Sequence, residues 1–138
     1  MRTKACDVVE AYLDAFFNSR WDEVRPALAE DCVVVDPLMP DPVKGKQEVM
    51  DLLAYCHTWG HYHGEILNIF GDEQQVAVQL WISGKVVEAP EGMPEEVVGR
   101  EFAFAECDVF ELDDDHHITK VSIYADVVTL QNQLGQEF

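Results

Sequence analysis

The chain has 138 residues, with 27 Asp or Glu against 9 Lys or Arg, so its formal net charge is −18 at pH 7. This length fits one domain with its own core, and we treat residues 1–138 as a single domain. The acidic surface repels phosphates and anionic lipids, which argues against nucleic-acid and membrane partners. No apolar run could span a bilayer, and the N-terminus lacks a signal-peptide pattern, so we expect a cytoplasmic protein.

Metal and disulfide sites find little support in the sequence. The cysteines lie 24 or more residues apart, which favours free thiols over a zinc site or a disulfide framework: Cys6, Cys32, Cys56 and Cys107. His61 and His63 share one strand face and would make half of a metal site. No third ligand is evident beside them, so we predict no metal.

The first half of the chain is mostly helical in its periodicity. Three helices are predicted: Thr3–Ser19, Trp21–Ala29 and Gln47–His57. Tyr12 and Phe16 lie on the apolar stripe of the first. A short β-rich run, Cys32–Asp36, precedes the third helix and ends at Pro37.

After Gly60 the hydrophobic period becomes that of β-strands. Four long segments are predicted: His61–Phe70, Gln75–Lys85, Val97–Leu112 and His117–Thr129. The connection Val87–Glu96 is the longest loop and a candidate lid. Helices followed by long antiparallel strands indicate an α+β fold. We therefore expect three N-terminal helices packed on a curved, mostly antiparallel sheet around a conical interior.

The strand Val97–Leu112 places two acids on its apolar face. Glu106 and Asp108 alternate with large apolar residues: Phe102, Phe104, Phe110 and Leu112. An unpaired carboxylate there should have a raised pKa, because burial disfavours its charged form. Pairing with Arg100, or a position at the open end of the sheet, is the structural alternative.

The outer face of the predicted sheet is also partly apolar. It carries Ala77, Trp81 and Tyr124, which a second copy of the chain could cover. We therefore expect a homodimer.

Three segments of the sequence form a recognisable set: Asp-Val-Val-Glu-Ala-Tyr12 in the first helix, Val-Val-Asp36-Pro followed by Asp41-Pro42 and Gly45, and Cys-Asp108-Val-Phe in the late strand. Together they resemble the corresponding segments of bacterial ketosteroid isomerases. The resemblance keeps their order and approximate spacing and extends to about Tyr124. It implies the nuclear transport factor 2-like superfamily, whose conical, cystatin-like α+β fold agrees with the predicted elements.

The resemblance also implies roles for these residues. Asp36 would be the general base that removes a proton next to a carbonyl, while Tyr12 and protonated Asp108 would stabilise the dienolate oxygen. The ligand would be a small apolar or polycyclic carbonyl compound, and no cofactor is needed. Six further residues are expected to contact the substrate: Phe16, Trp21, Phe104, Glu106, Phe110 and Asp126.

Two features depart from the isomerase pattern. Glu106 adds an acid that, if ionised, would oppose an anionic intermediate. The tail from Ser122 to Gly135 instead resembles SnoaL-like polyketide cyclases, which implies an acid/base role for Asp126. Strand parity puts Asp126 opposite the apolar face unless a bulge intervenes. We therefore keep an isomerase, a cyclase and a non-catalytic binding or dimerisation module as alternatives.

Overall fold

The computed structural model describes residues 2–137. Its helices are α1 (Lys4–Phe17), α2 (Trp21–Val24), α3 (Lys46–Trp59) and α4 (Val127–Leu134). Its strands are β1 (Leu28–Val35), β2 (Val43–Lys44), β3 (Gly60–Gly71), β4 (Gln75–Val86), β5 (Glu101–Leu112) and β6 (Ile118–Ala125). The predicted α+β fold is confirmed, with helices packed on a curved sheet that does not close into a barrel.

The sheet has the strand order β2-β1-β6-β5-β4-β3. Neighbouring strands are antiparallel except β1 and β6, which pair in parallel. The long strands β3, β4 and β5 form an antiparallel meander. The parallel pair sets the end of β1, where Asp36 follows, beside the strand that pairs with β5.

Helix α1 covers the inner face of this sheet. Thr3 begins it, because its hydroxyl accepts a hydrogen bond from the backbone N–H of Cys6 at 3.1 Å. The side chains of Val9, Tyr12 and Leu13 are buried against the strands. Phe110 of β5 is fully buried beneath them and meets the Tyr12 ring edge-on. The hydrophobic core therefore lies between the helices and the concave face of the sheet.

The second helix is shorter than predicted. It ends at Val24 and continues as one 3₁₀ turn, Arg25–Ala27, where Pro26 supplies no backbone N–H. Strand β1 then begins at Leu28, four residues earlier than predicted, because buried Leu28 already pairs with Ile118 of β6.

The last two predicted strands were too long. The segment from Val97 turns at Gly99, whose φ of 90° is easily adopted only by glycine, so β5 begins at Glu101. Strand β6 ends at Ala125, and residues 127–129 open helix α4 instead of extending the strand. Asp126 caps this helix and Gly135 ends it in the left-handed conformation.

Gly84 of β4 lies unusually close to strand β3. A Cβ atom there would stand 2.2 Å from the His61 carbonyl oxygen and 2.7 Å from Cα of Tyr62. We therefore expect Gly84→Ala to lower the free energy of unfolding by about 1–3 kcal/mol, because backbone must move to admit the methyl group. Urea unfolding checks this. Gly60→Ala on the same hairpin is the matched control, since the atom nearest to a Cβ there would be 3.4 Å away. Equal losses of stability in the two variants would contradict the prediction.

The outer face of the sheet leaves several apolar side chains exposed. Leu67, Phe70, Trp81 and Tyr124 are each more than two-fifths exposed. The homodimer expected through this face stays a prediction. All four cysteines are free thiols. Within residues 2–137 no helix is both long and apolar enough to cross a membrane.

Candidate functional site

An internal cavity of about 130 Å³ lies between the helices and the concave face of the sheet. Apolar side chains from α1, α3, α4 and the strands make up most of its wall. Aromatic rings are prominent among them: Tyr12, Phe16, Phe17, Trp59, Tyr62, Phe102, Phe104 and Phe110. Three carboxyl groups also face this space, those of Asp36, Glu106 and Asp108. The cavity is therefore an apolar chamber with a cluster of acids in its wall.

Tyr12 reaches the cavity from the buried side of α1. Its side chain is 5% exposed, and its ring packs edge-on against Phe110 with centroids 5.7 Å apart. Burial raises the pKa of the Tyr12 hydroxyl, and the nearby charge of Asp108 raises it further. The hydroxyl therefore stays protonated and can donate a hydrogen bond to a ligand.

Asp36 enters from the end of β1. Its side chain is half-buried, and Oδ1 accepts a hydrogen bond from the backbone N–H of Leu38 at 2.8 Å. Burial raises the pKa of Asp36, whereas the Leu38 hydrogen bond lowers it. A carboxylate with such a donor and partial solvent access ionises more easily than one held in the core. Of the three carboxyl groups, Asp36 thus has the environment that most readily permits ionisation.

Glu106 and Asp108 form a pair of acids on the inner face of β5. Burial raises the pKa of both, and the proximity of Glu106 raises that of Asp108 further. The two carboxyl groups are close enough to influence each other, and burial favours the protonated form of Asp108. Asp108 is 5% exposed, and its Oδ1 has no hydrogen-bond partner among the described residues. The pair therefore retains a proton where Asp36 would already be ionised.

The ion pair with Arg100, one of the structural alternatives for these acids, does not form. The Arg100 guanidinium instead donates to the Gln133 carbonyl at 3.2 Å. Within residues 2–137, no Lys or Arg lines the cavity. The acids are held beside each other without a protein cation.

The expected contact residues divide into two groups. Phe16, Phe104, Glu106 and Phe110 line the cavity. Trp21 does not; it lies behind Phe16, with ring centroids 6.1 Å apart. Asp126 is exposed and faces away from the cavity, where its carboxylate accepts hydrogen bonds from the backbone and hydroxyl of Thr129. These bonds lower the pKa of Asp126, as expected for a helix cap.

The sequence interpretation missed two polar residues of the cavity wall, Cys56 of α3 and Tyr62 of β3. The Tyr62 hydroxyl lies near the Cys56 thiol, and burial raises the pKa of that thiol to about 12. A thiol that stays protonated is a poor nucleophile. Strand parity could have identified Tyr62, because His61 and His63 are exposed and Tyr62 must point the other way.

One surface cluster has metal-binding residue types. Ligand atoms of Asp113, Asp115 and His117 lie within 4.8 Å of one another in the turn between β5 and β6. The Asp113 carboxylate already accepts hydrogen bonds from the backbone N–H groups of Asp115 and His117. These contacts explain the cluster as turn structure.

The arrangement in the cavity suits acid–base chemistry. A half-buried carboxylate, a buried acid pair and a neutral tyrosine hydroxyl line the same apolar space. Environments that separate the pKa values of neighbouring carboxyl groups allow one to accept a proton while another donates.

Solved structures of other proteins resemble this chain over most of its length. An LEH-like epoxide hydrolase from M. tuberculosis is 25% identical, with a TM-score of 0.73 over 94% of this chain and 88% of that one. A candidate polyketide cyclase from Xanthomonas campestris pv. campestris is 24% identical, with a TM-score of 0.80 over 94% and 96%. A candidate SnoaL-like polyketide cyclase from Jannaschia sp. CCS1 is 14% identical, with a TM-score of 0.86 over 100% and 99%.

A comparison with curated proteins finds no match. The family model for the SnoaL-like domain matches residues 9–121, a segment that holds Tyr12, Asp36, Glu106 and Asp108. The chain therefore belongs to the SnoaL-like domain family, within the nuclear transport factor 2-like superfamily.

Proposed function

We propose that the protein is a cofactor-free acid–base enzyme that moves a proton next to a carbonyl group in a compact apolar ligand. This proposal is supported mainly by one observation: half-buried Asp36 and the buried acid pair line one apolar cavity. A general base and a general acid must hold different protonation states at one pH. The separate environments of these carboxyl groups supply that difference.

The proposed reaction is the shift of a double bond toward a carbonyl. The Asp36 carboxylate removes a proton from the carbon between the carbonyl and the double bond. The electrons move onto the carbonyl oxygen, which the Tyr12 hydroxyl and the protonated acid pair stabilise as a dienolate. Asp36 then returns the proton to the far carbon of the double bond, which yields the conjugated enone.

The size of the cavity favours a small substrate. Its volume of about 130 Å³ is close to that of an engineered cavity of about 150 Å³ that binds benzene. One six-membered ring fits this space, whereas a four-ring steroid would require the chamber to open. The first assay should therefore follow conversion of cyclohex-3-enone to its conjugated isomer by ultraviolet absorbance, with a β,γ-unsaturated 3-ketosteroid in parallel.

Removal of the Tyr12 hydroxyl tests the proposed oxyanion site. We expect Tyr12→Phe to lower turnover in this assay by roughly 10²-fold, since one hydrogen-bond donor to the developing negative charge is lost. Tyr124→Phe is the control, because Tyr124 is 65% exposed on the outer face. Equal activity of the two variants would show that the Tyr12 hydroxyl takes no part in catalysis.

A second candidate is ring closure or ring opening by the same groups. Glu106 favours it, because a second acid in the cavity can help to protonate a ketone or epoxide oxygen while Asp36 deprotonates the attacking group. Asp126, the acid/base that the cyclase resemblance implies, does not face the cavity. A cyclase of this kind would therefore depend on Asp36, and Asp126→Asn would leave it active. Turnover of an epoxide, with none of any β,γ-enone, would favour this candidate.

A further inference from the structure

The cavity concentrates negative charge without an internal counter-charge. Asp36, Glu106 and Asp108 face it together, and within residues 2–137 no Lys or Arg does. An isolated carboxylate in an apolar interior is strongly disfavoured, so such groups take up protons or find a cation. In the free protein, protons can neutralise the cluster. A bound cation could do the same.

We propose that this cavity binds a small organic ammonium ion, with its charged nitrogen beside Glu106 and Asp108. The proposal goes beyond the acid–base function above and holds whether or not the bound ion reacts. It rests on three features: an unpartnered carboxyl oxygen, an aromatic wall, and a volume suited to a single ring.

The first feature is the Oδ1 atom of Asp108. This oxygen is buried and accepts no hydrogen bond from the described residues, although most buried polar atoms in proteins are paired. The Asp108 side chain is 95% buried by its accessible surface and lines the cavity. An ammonium N–H would supply the missing donor, and a charge-assisted hydrogen bond is stronger than a neutral one.

The second feature is the wall of aromatic rings. Tyr12, Phe104 and Phe110 line the cavity together with the acid pair. The negative face of an aromatic ring attracts a cation within about 6 Å of its centroid, most strongly when water is excluded. The aromatic wall therefore favours a bulky organic ammonium ion over an inorganic cation.

Ammonium binding should release a proton. Burial raises the pKa of Glu106 and of Asp108, so in the free protein the pair is protonated over part of the range in which free carboxyl groups are ionised. A cation favours the ionised form and displaces a proton. Affinity should therefore rise with pH, by about tenfold per pH unit for one released proton, until the pair is ionised without ligand.

The other titratable groups around the cavity do not reverse the expected rise of ammonium affinity with pH. The Tyr12 and Tyr62 hydroxyls and the Cys56 thiol have raised pKa values because of burial, so all stay neutral. Asp36 adds negative charge once ionised. His57 does not line the cavity and stacks on the Tyr62 ring. Burial lowers the pKa of His57, which keeps its imidazole neutral near pH 7.

The test compares piperidinium with tetrahydropyran, a neutral ring of the same size, by isothermal titration calorimetry. We expect piperidinium to bind at least tenfold more tightly at pH 8 than tetrahydropyran. Its affinity should fall at pH 6. Repeating the titration in buffers of different ionisation enthalpy measures the proton released by the wild-type protein.

Two variants locate the binding site. Asp108→Asn and Glu106→Gln should each lower piperidinium affinity at least tenfold, whereas Glu111→Gln should not. Glu111 is the matched control, because it lies on the opposite face of β5 near Lys120. Equal binding of the two rings, no binding of piperidinium, or binding without proton release would each overturn the proposal, and the wild-type measurements decide even if a variant does not fold.

Discussion

Replacing Asp36 by Asn is expected to lower turnover of a β,γ-unsaturated ketone by roughly 10²–10⁴-fold, the usual contribution of a general base. The amide has nearly the same shape, and its oxygen can still accept the hydrogen bond that Asp36 receives from Leu38. Folding and ligand binding should therefore survive while the base is lost. The ultraviolet assay measures turnover, and calorimetry with a conjugated enone measures binding.

Asp41→Asn is the matched control for this substitution. Asp41 is an exposed carboxylate in the same proline-rich segment and does not line the cavity. In the wild-type protein, activity should rise with pH as Asp36 ionises, with a midpoint above the ordinary aspartate pKa because burial raises it. An Asp36→Asn variant that kept more than half of wild-type turnover would exclude Asp36 as the base.

Asp108→Asn is expected to stabilise the folded protein at neutral and higher pH. Burial raises the pKa of Asp108 in the folded state, so the folded chain holds a proton that the unfolded chain releases above about pH 4. Each pH unit between the unfolded and folded pKa then lowers the free energy of unfolding by about 1.4 kcal/mol. Asparagine never ionises, so the variant avoids this loss.

Urea unfolding at a series of pH values measures the effect. The two proteins should be of similar stability near pH 4, and the advantage of Asp108→Asn should grow as the pH rises toward the folded pKa and then level off. Glu111→Gln, on the solvent side of the same strand, should give a profile parallel to wild type. A difference in the free energy of unfolding between Asp108→Asn and wild type that does not change with pH would show that folding does not raise the pKa of Asp108.

The candidate site was predictable where it depends on local pattern. Alternation along β5 was enough to place Glu106 and Asp108 on the inner face, and the stripe of α1 did the same for Tyr12. The Asp36-Pro37 signal marked the end of β1. These assignments need only the period of a strand or helix, which the sequence displays directly.

Other parts of the site depend on side-chain geometry that no period encodes. The mutual influence of Glu106 and Asp108 on their pKa values requires their carboxyl groups to lie close together, although alternation shows only that they point to one side. The absence of Arg100 from the cluster depends on where α4 presents the Gln133 carbonyl. That helix was itself missed, because Val127, Val128 and Thr129 favour a strand while the capping residues Asp126 and Gly135 favour a helix.

The parallel pairing of β1 with β6 also bears on how the chain folds. The two strands meet across some 90 residues, with Val33 opposite Lys120 and Val34 opposite Val121. Closing so long a loop is entropically unfavourable early in folding, whereas the β3–β4–β5 meander forms from near neighbours. We expect β1 to join the sheet late, so Asp36 would reach the acid pair only when folding is nearly complete. A partly folded chain would thus hold Glu106 and Asp108 in place before the proposed base, Asp36, joins them.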